Sequence, residues 1–266
     1  MTKFELNGSR ALVTGATGGL GQAIARALAA KGVDLVLTGR RLDVLEPFAK
    51  ELGAVAIAAD LSDLADVDRL MSEAGDIDIL IANAALPNTG NVMEFTPEQV
   101  DRALTVNLQV PILMARQAAI AMTGRKRGHI VIIGSVSGIS PSPESSLYNA
   151  TKFGVRGFVL GFRQDLEGTG AGISIVEPGF VRDAGMFVES GGKLPPGVRT
   201  VTPEQVARGV LKAIVKDRGE IVVAPAELRA GARFGSIFPG INAGIQKAAG
   251  GKKLAKQMSE GARGKR

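Results

Sequence analysis

Ser135, Tyr148 and Lys152 are the residues whose types and spacing point to chemistry. Tyr148, the single tyrosine of the chain, stands four positions before Lys152, and Ser135 closes a strand-like apolar run thirteen positions upstream. Side chains four apart on a helix share one face, about one turn from each other. The Lys152 ammonium would then lie beside the Tyr148 phenol. A neighbouring cation favours the ionised form of an acid, so the phenol is expected to titrate below its reference value of roughly 10. That shift would make it a proton donor and acceptor near neutral pH. The same spacing also describes a surface Tyr–Lys pair on an amphipathic helix, so the surrounding elements must decide.

The run 11–13 is apolar and β-type, and Thr14-Gly15-Ala16-Thr17-Gly18-Gly19-Leu20-Gly21 follows at once, leading into a helical pattern that ends near residue 30. Strand, glycine-rich turn and helix in that order form a phosphate cradle. Glycines let the backbone approach a pyrophosphate, which exposed N–H groups and the positive helix end then hold. The alternation continues with strands at 35–37, 55–58, 77–81, 129–133, 173–176 and 221–223, and helices near 42–51, 64–73, 148–167 and 203–216. Thr96-Pro97-Glu98-Gln99 and Thr202-Pro203-Glu204-Gln205 both have the form of a capping box with proline at the first helical position. The first opens a helix running to about Met122, with a kink expected at Pro111. Continuous apolar strands between helices predict an α/β fold: one doubly wound, seven-stranded parallel sheet of Rossmann type with helices on both faces. Right-handed crossovers put the carboxyl ends of the strands along one edge, where ligands bind. His129, the only histidine, begins a strand and is read as structural.

At 266 residues with 45% hydrophobic and 22% charged content, the chain has material for one large domain. The catalytic domain is placed at 1–225, with an extension at 226–266 that either joins it or stays flexible. Cysteine is absent, which removes disulfides and thiolate chemistry and suits a reducing, cytoplasmic setting. Neither a secretory leader nor an apolar run of about 18 residues is present to suggest export or a membrane span. The net charge of +6 is concentrated in the tail, where Lys252, Lys253, Lys256, Arg263, Lys265 and Arg266 face one acid, Glu260. The body is therefore near neutral, and no nucleic-acid partner is expected. No metal site is read.

Taken together these motifs resemble the short-chain dehydrogenase/reductase family over roughly residues 6–225. The resemblance rests on Thr14-Gly15-x-x-x-Gly19-x-Gly21, Asp60 after the third strand, Asn83-Ala84 after the fourth, Asn107 in the long helix, Ser135, Tyr148-x-x-x-Lys152 and Pro178-Gly179 after the sixth. It implies hydride transfer between a nicotinamide and a carbonyl or alcohol carbon. Tyr148 would be the acid in reduction and the base in oxidation. Ser135 would hydrogen-bond the substrate oxygen, Lys152 would hold the nicotinamide ribose and lower the phenol pKa, and Asn107 would anchor a water leading to solvent. The dinucleotide would be held by Gly15, Thr17, Gly18, Gly19, Leu20 and Gly21 at its phosphates. Asp60, Leu61, Asn83 and Ala84 would lie at its adenosine end, and Tyr148, Lys152, Pro178 and Val181 at its nicotinamide end. Two departures stand out: Ala82-Asn83-Ala84-Ala85 replaces Asn-Asn-Ala-Gly, and Val181-Arg182-Asp183 stands where a threonine is common.

A NAD-preferring site carries an acid at the end of the second strand, about 20 residues past the glycines. Thr38-Gly39-Arg40-Arg41 has none there, and the Arg40 guanidinium suits a phosphate, so NADP(H) is preferred and NAD(H) remains usable. Leu86, Val92, Met93, Ile139, Leu147, Met186, Phe187 and Leu194 suggest a lipophilic substrate, with Gly185, Gly191 and Gly192 hinging a lid. Phe234, Ile237, Phe238, Ile241 and Ile245 recur at helical spacing ahead of the basic tail. They suggest weak membrane-surface contact or packing against the chain's own core or a partner. A homodimer or homotetramer formed through the helices near 97–122 and 148–167 is what the resemblance implies. The competing readings are a nucleotide-binding regulatory or sensor protein without turnover, and a sugar-nucleotide epimerase. The intact Ser135, Tyr148, Lys152 and Asn107 argue against the first. The short C-terminal region argues against the second.

Overall fold

A computed structural model describes residues 4–185, 188, 198–248 and 251–262. Short aliphatic runs form seven strands: β1 (Arg10–Val13), β2 (Asp34–Gly39), β3 (Val55–Ala58), β4 (Ile79–Ala82), β5 (Gly128–Ile133), β6 (Ala171–Pro178) and β7 (Glu220–Val223). They make one sheet in the order β3-β2-β1-β4-β5-β6-β7, every pair parallel. Successive strand residues face opposite sides. Leu12, Val36, Leu80, Ile130, Ile173 and Ile175 therefore enter one core layer, while Val13, Leu37, Ile81, Val131 and Val176 enter the other. Because both faces are covered, the strands read as unbroken apolar runs.

The first layer is closed by α3 (Leu64–Ala74), α5 (Val110–Gly124) and α6 (Ser146–Asp165). The second is closed by α1 (Gly19–Ala29), α2 (Leu42–Leu52) and α7 (Pro203–Lys216). Each fully buried leucine or isoleucine contributes about 1.5–3 kcal/mol, so the two layers dominate the energetics. Three further helices, α8 (Ala226–Ile237), α9 (Pro239–Ala248) and α10 (Gly251–Ala262), complete the described chain.

Both capping boxes form. Thr96 Oγ1 accepts from the Gln99 amide at 3.3 Å and Gln99 Oε1 from the Thr96 amide at 3.0 Å; the Thr202–Gln205 distances are 3.2 and 2.8 Å. The helix after Thr96 is not continuous with a kink at Pro111. It is α4 (Pro97–Leu104), a π-helical turn over Thr105–Gln109, and then α5. Pro111 has no N–H for the carbonyl four residues earlier, and its ring crowds that carbonyl. The disturbance therefore falls one turn ahead of the proline, on Asn107. His129 is buried, its Nε2 2.8 Å from Ser174 Oγ, and burial pushes it down to about 4 despite nearby Asp217. It is a neutral core residue.

Candidate active site

The carboxyl ends of β1, β4, β5 and β6 open onto a cleft of about 1320 Å³. At one end the β1–α1 turn brings Gly15, Thr17, Gly18, Gly19, Leu20 and Gly21 to its wall. Gly15 has φ +65°, and a Cβ on Gly21 would stand 2.2 Å from the Gly15 carbonyl oxygen, so side chains at these points would break the turn. Gly18 caps α1 without a side-chain hydrogen bond, and the first turn carries no acid. The helix end therefore keeps N–H groups and its positive dipole for an anion.

Thr14 holds this turn to β4. Its hydroxyl accepts from the Asn83 and Ala84 amides at 2.9 and 3.0 Å and donates to the Ile81 carbonyl at 3.3 Å. The Asn83 carboxamide donates to the carbonyls of Thr14 (2.9 Å) and Gly15 (3.3 Å), so it braces the glycine turn while Asn83 and Ala84 line the cleft. Thr14 shows in the sequence only as the first residue of the turn motif, and its bridging role depends on β4 lying beside β1.

Beyond the turn, Thr38, Arg40, Arg41, Asp60 and Leu61 line the cleft, joined by Arg102 from α4. Asp60 lies below the usual carboxylate range, first through its hydrogen bond from the Ser62 amide and further through Arg40 and Arg102. Arg102 is a site residue the sequence reading missed: its type is common on helices, and only the tertiary fold carries α4 to the end of β3. The buried Thr38 hydroxyl has no hydrogen-bond partner among the described residues. An uncapped helix end, a glycine cradle, an unsatisfied hydroxyl and three guanidiniums in one cleft fit a dinucleotide carrying several phosphates.

At the floor, β5 delivers Ser135 and α6 delivers Tyr148 and Lys152. A Cβ on Gly138 would come within 2.6 Å of the Lys152 carbonyl oxygen, so glycine there lets the Ser135 loop pack directly on α6. The Ser135 hydroxyl accepts from the Ser137 amide at 3.1 Å. Lys152 is buried and its Nζ donates to the Ile133 carbonyl at 2.9 Å, lying 5.7 Å from the centre of the Tyr148 ring. Burial lowers this ammonium to about 8, opposed by Glu177.

The expected lowering of the Tyr148 phenol does not appear. Burial raises it above its ordinary value, with only the hydrogen bond to Ser135 pulling the other way. The physical reason is that the phenol is itself buried, so its anion loses water, while the Lys152 ammonium is directed at a main-chain carbonyl behind the ring. Asn107 is buried, with its carboxamide tied to both main-chain groups of Leu86 (2.7 and 2.9 Å) and to Asn88 (3.2 Å). Its side chain thus fixes the cleft wall. Its carbonyl is the group that Pro111 deprives of an α-helical donor. Pro178 and Val181 line the cleft, Val181 in a bridge to Val201.

The substrate side differs from the apolar set expected. Leu86 lines the cleft, but Val92 and Met93 are exposed, Ile139 is buried away from it, and Leu147 packs with Phe95 and Ala103 in a satellite core. Met186, Phe187, Leu194, Gly191 and Gly192 lie outside the described residues. The wall is mixed: Val136, Phe180 and Leu228 beside Ser140, Ser142, Asn242 and Gln246. Asn242 Nδ2 donates to Ser140 Oγ at 3.0 Å and Gln246 Nε2 to the Pro141 carbonyl at 3.0 Å, so α9 is seated on the loop that follows Ser135.

The fold and this cleft define a doubly wound nucleotide-binding protein with a Ser, Tyr, Lys floor. The sequence profile of the short chain dehydrogenase family matches residues 9–193. The chain is 33% identical to the ketoacyl reductase HetN of Nostoc sp. over 82% of its own length and 79% of that protein. It is also 33% identical to the NADP-dependent 3-hydroxy acid dehydrogenase YdfG of Salmonella typhimurium, over 75% and 86% of the two chains. The solved structure of 3-ketoacyl-(acyl-carrier-protein) reductase from Brucella melitensis with NADH superposes with a TM-score of 0.73 at 27% identity, covering 82% of this chain and 97% of the other. The chain belongs to the short-chain dehydrogenase family, oxidoreductases that act on CH–OH and C=O groups.

Proposed function

We propose that the protein is an NADP(H)-dependent oxidoreductase that interconverts the carbonyl and secondary alcohol of a lipophilic, ketoacyl-type compound. The observation that carries this reading is the meeting of Ser135, Tyr148 and Lys152 on the floor of a cleft whose far end holds a phosphate cradle. Bound there, the dinucleotide supplies or accepts the hydride. Tyr148 gives a proton to the substrate oxygen in reduction and removes it in oxidation. Ser135 donates a hydrogen bond to the same oxygen as charge builds on it. Lys152 holds the ribose and completes the charge balance behind the phenol. Asn107 offers the carbonyl released by Pro111 to a water on the way to solvent. The turn at 15–21 would hold the phosphates, Asp60, Leu61, Asn83 and Ala84 the adenosine, and Pro178 and Val181 the carboxamide. Arg40, with Arg102 nearby, favours the 2′-phosphate. The mixed wall suits an acyl chain carrying polar groups, and ketoacyl reductase and 3-hydroxy acid dehydrogenase relatives support that class.

We also propose that 226–266 belongs to the same domain as 1–225, since α9 anchors the Ser140 loop, and that the chain works in the cytoplasm. Exposed Leu113 and Ile120 on α5 and Phe153 on α6 support a homodimer or homotetramer built on those helices. No helix among the described residues is long and apolar enough to cross a membrane. Exposed Ile237, Ile241 and Ile245, beside basic residues, support peripheral contact with an anionic lipid surface. The deciding experiment follows NADPH and NADH oxidation with β-ketoacyl thioesters and small hydrophilic ketones. Turnover of the first class with NADPH is expected. Turnover confined to small hydrophilic ketones overturns the substrate class, and equal rates with NADH overturn the cofactor preference.

A further inference from the structure

Behind the Ser, Tyr, Lys floor lies a buried carboxyl that these roles leave unexplained. Glu177 stands on β6, on the face that Ile173 and Ile175 turn toward α6, where the alternation calls for an apolar side chain. It is fully buried, and no N–H or O–H among the described residues donates to either of its oxygens. Tyr148, Lys152 and Arg156 follow one another at four-residue spacing on α6, so all three share the helix face over this strand. Arg156 pairs with two carboxyls at once: its Nε is hydrogen-bonded to Glu220 Oε1 on β7 at 2.7 Å and stands 3.7 Å from Glu177 Oε1, an ion pair too long for a hydrogen bond.

On its β7 side Glu177 meets Glu220. Two ionised carboxylates have no hydrogen to share, whereas a protonated Glu177 donates to a Glu220 that Arg156 keeps charged. The charged groups around the pair are Lys152 and Arg156 from α6, and Arg233 from α8 on the Glu220 side. The glycine before Ser135 shapes this pocket, since a Cβ on Gly134 would meet Glu177 Cγ at 3.1 Å.

We propose that Glu177 is a positioning residue for Lys152: by holding or releasing a proton against Glu220, it sets how far into alkaline pH the Lys152 ammonium stays charged beneath Tyr148. Burial, then Glu220, raises Glu177 to about 8, and burial lowers Lys152 to about 8. The two titrate in the same range. As pH rises, Glu177 ionises and the new negative charge keeps the proton on Lys152. Without that carboxylate Lys152 goes neutral at lower pH, and the site loses its cation beneath Tyr148 there.

This inference rests on the proposed roles of Tyr148 and Lys152, yet it can be read without turnover. Lysine labelled with carbon-13 at its ε position lets NMR titrate Lys152 directly, its resonance assigned with Lys152→Met. In Glu177→Gln the Lys152 midpoint should move down by at least about half a unit, with Glu177→Asp between it and the native protein. Glu220→Gln, at the partly exposed edge, relieves the like charge on Glu177 and should move the midpoint up. If Glu177→Gln fails to fold by circular dichroism, the Asp and Glu220→Gln variants carry the test. Superimposable titrations of the folded variants overturn the proposal. Where turnover is found, the alkaline limb of kcat/KM should fall to lower pH in Glu177→Gln with the plateau kcat nearly kept, a change that packing alone would not produce. A midpoint shift in a protein without carbonyl turnover would count against the oxidoreductase reading and leave this one standing.

Discussion

Tyr148 carries the proton in the proposed chemistry, and removing its hydroxyl isolates that role. Tyr148→Phe should lower kcat by on the order of 10²–10⁴, the range of general acid catalysis, while fluorescence titration shows NADPH binding kept. Activity within tenfold of native would remove the phenol from the mechanism. Arg40 tests the cofactor end. One charge-assisted contact is worth about 1.5–3 kcal/mol, so Arg40→Ala should raise the NADPH KM by tenfold or more and leave that for NADH unchanged. His129 tests the core. Its folded value of about 4 lies below the unfolded value of roughly 6.5, so between those limits the unfolded chain binds more protons. Stability is therefore full above about pH 6.5 and falls as pH drops toward 4, by on the order of 3 kcal/mol. Urea midpoints across that window should show the fall, and His129→Gln, which keeps a partner for Ser174, should flatten it.

At the scale of elements, the π turn ahead of Pro111 is what sets Asn107 behind the Leu86 wall of the cleft. Pro111→Ala restores the missing N–H and should let α4 and α5 join in regular α geometry. Thermal midpoints should then hold or rise while kcat falls about tenfold, because Leu86 is tied to Asn107 and a small displacement of a cleft wall is costly. Unchanged turnover would mean the turn is incidental. The strands were legible because each is an aliphatic run between a helix stop and a turn. Both capping boxes were legible because their chemistry is local. Neither the position of the helix break nor the company of Arg102 could be read this way. The break depends on a clash four residues back, and Arg102 reaches the Arg40 end of the cleft only through the packing of α4. Apolar residues around the Ser135–Tyr148 connection name no direction either: Ile139 and Leu147 turned into the interior while serines took the cleft wall. The phenol shift failed for a related reason, since spacing gives proximity to the cation but not the burial of the phenol itself.

On the whole molecule, the C-terminal helices make two surfaces from one segment. Their inner side closes the cleft through Leu228, Asn242 and Gln246, so any change in how they lie reaches the substrate directly. Their outer side leaves Ile237 68% exposed, with Ile241 and Ile245 also open to solvent. Between Leu228 and Ser259 the sequence has six basic residues (Arg229, Arg233, Lys247, Lys252, Lys253 and Lys256) and no acid. Each lysine or arginine near an anionic bilayer contributes about 1 kcal/mol, and the isoleucines add apolar insertion, so the two terms favour lipid together. The full chain should therefore float with vesicles rich in phosphatidylglycerol and remain behind with phosphatidylcholine alone. Replacing Ile237, Ile241 and Ile245 by serine should abolish flotation without changing turnover of a water-soluble ketoacyl thioester, because those side chains lie away from the cleft. Equal flotation of both proteins would assign the face to a second copy or another protein partner, and light scattering of the same two samples would show a change in mass if that copy is the chain itself.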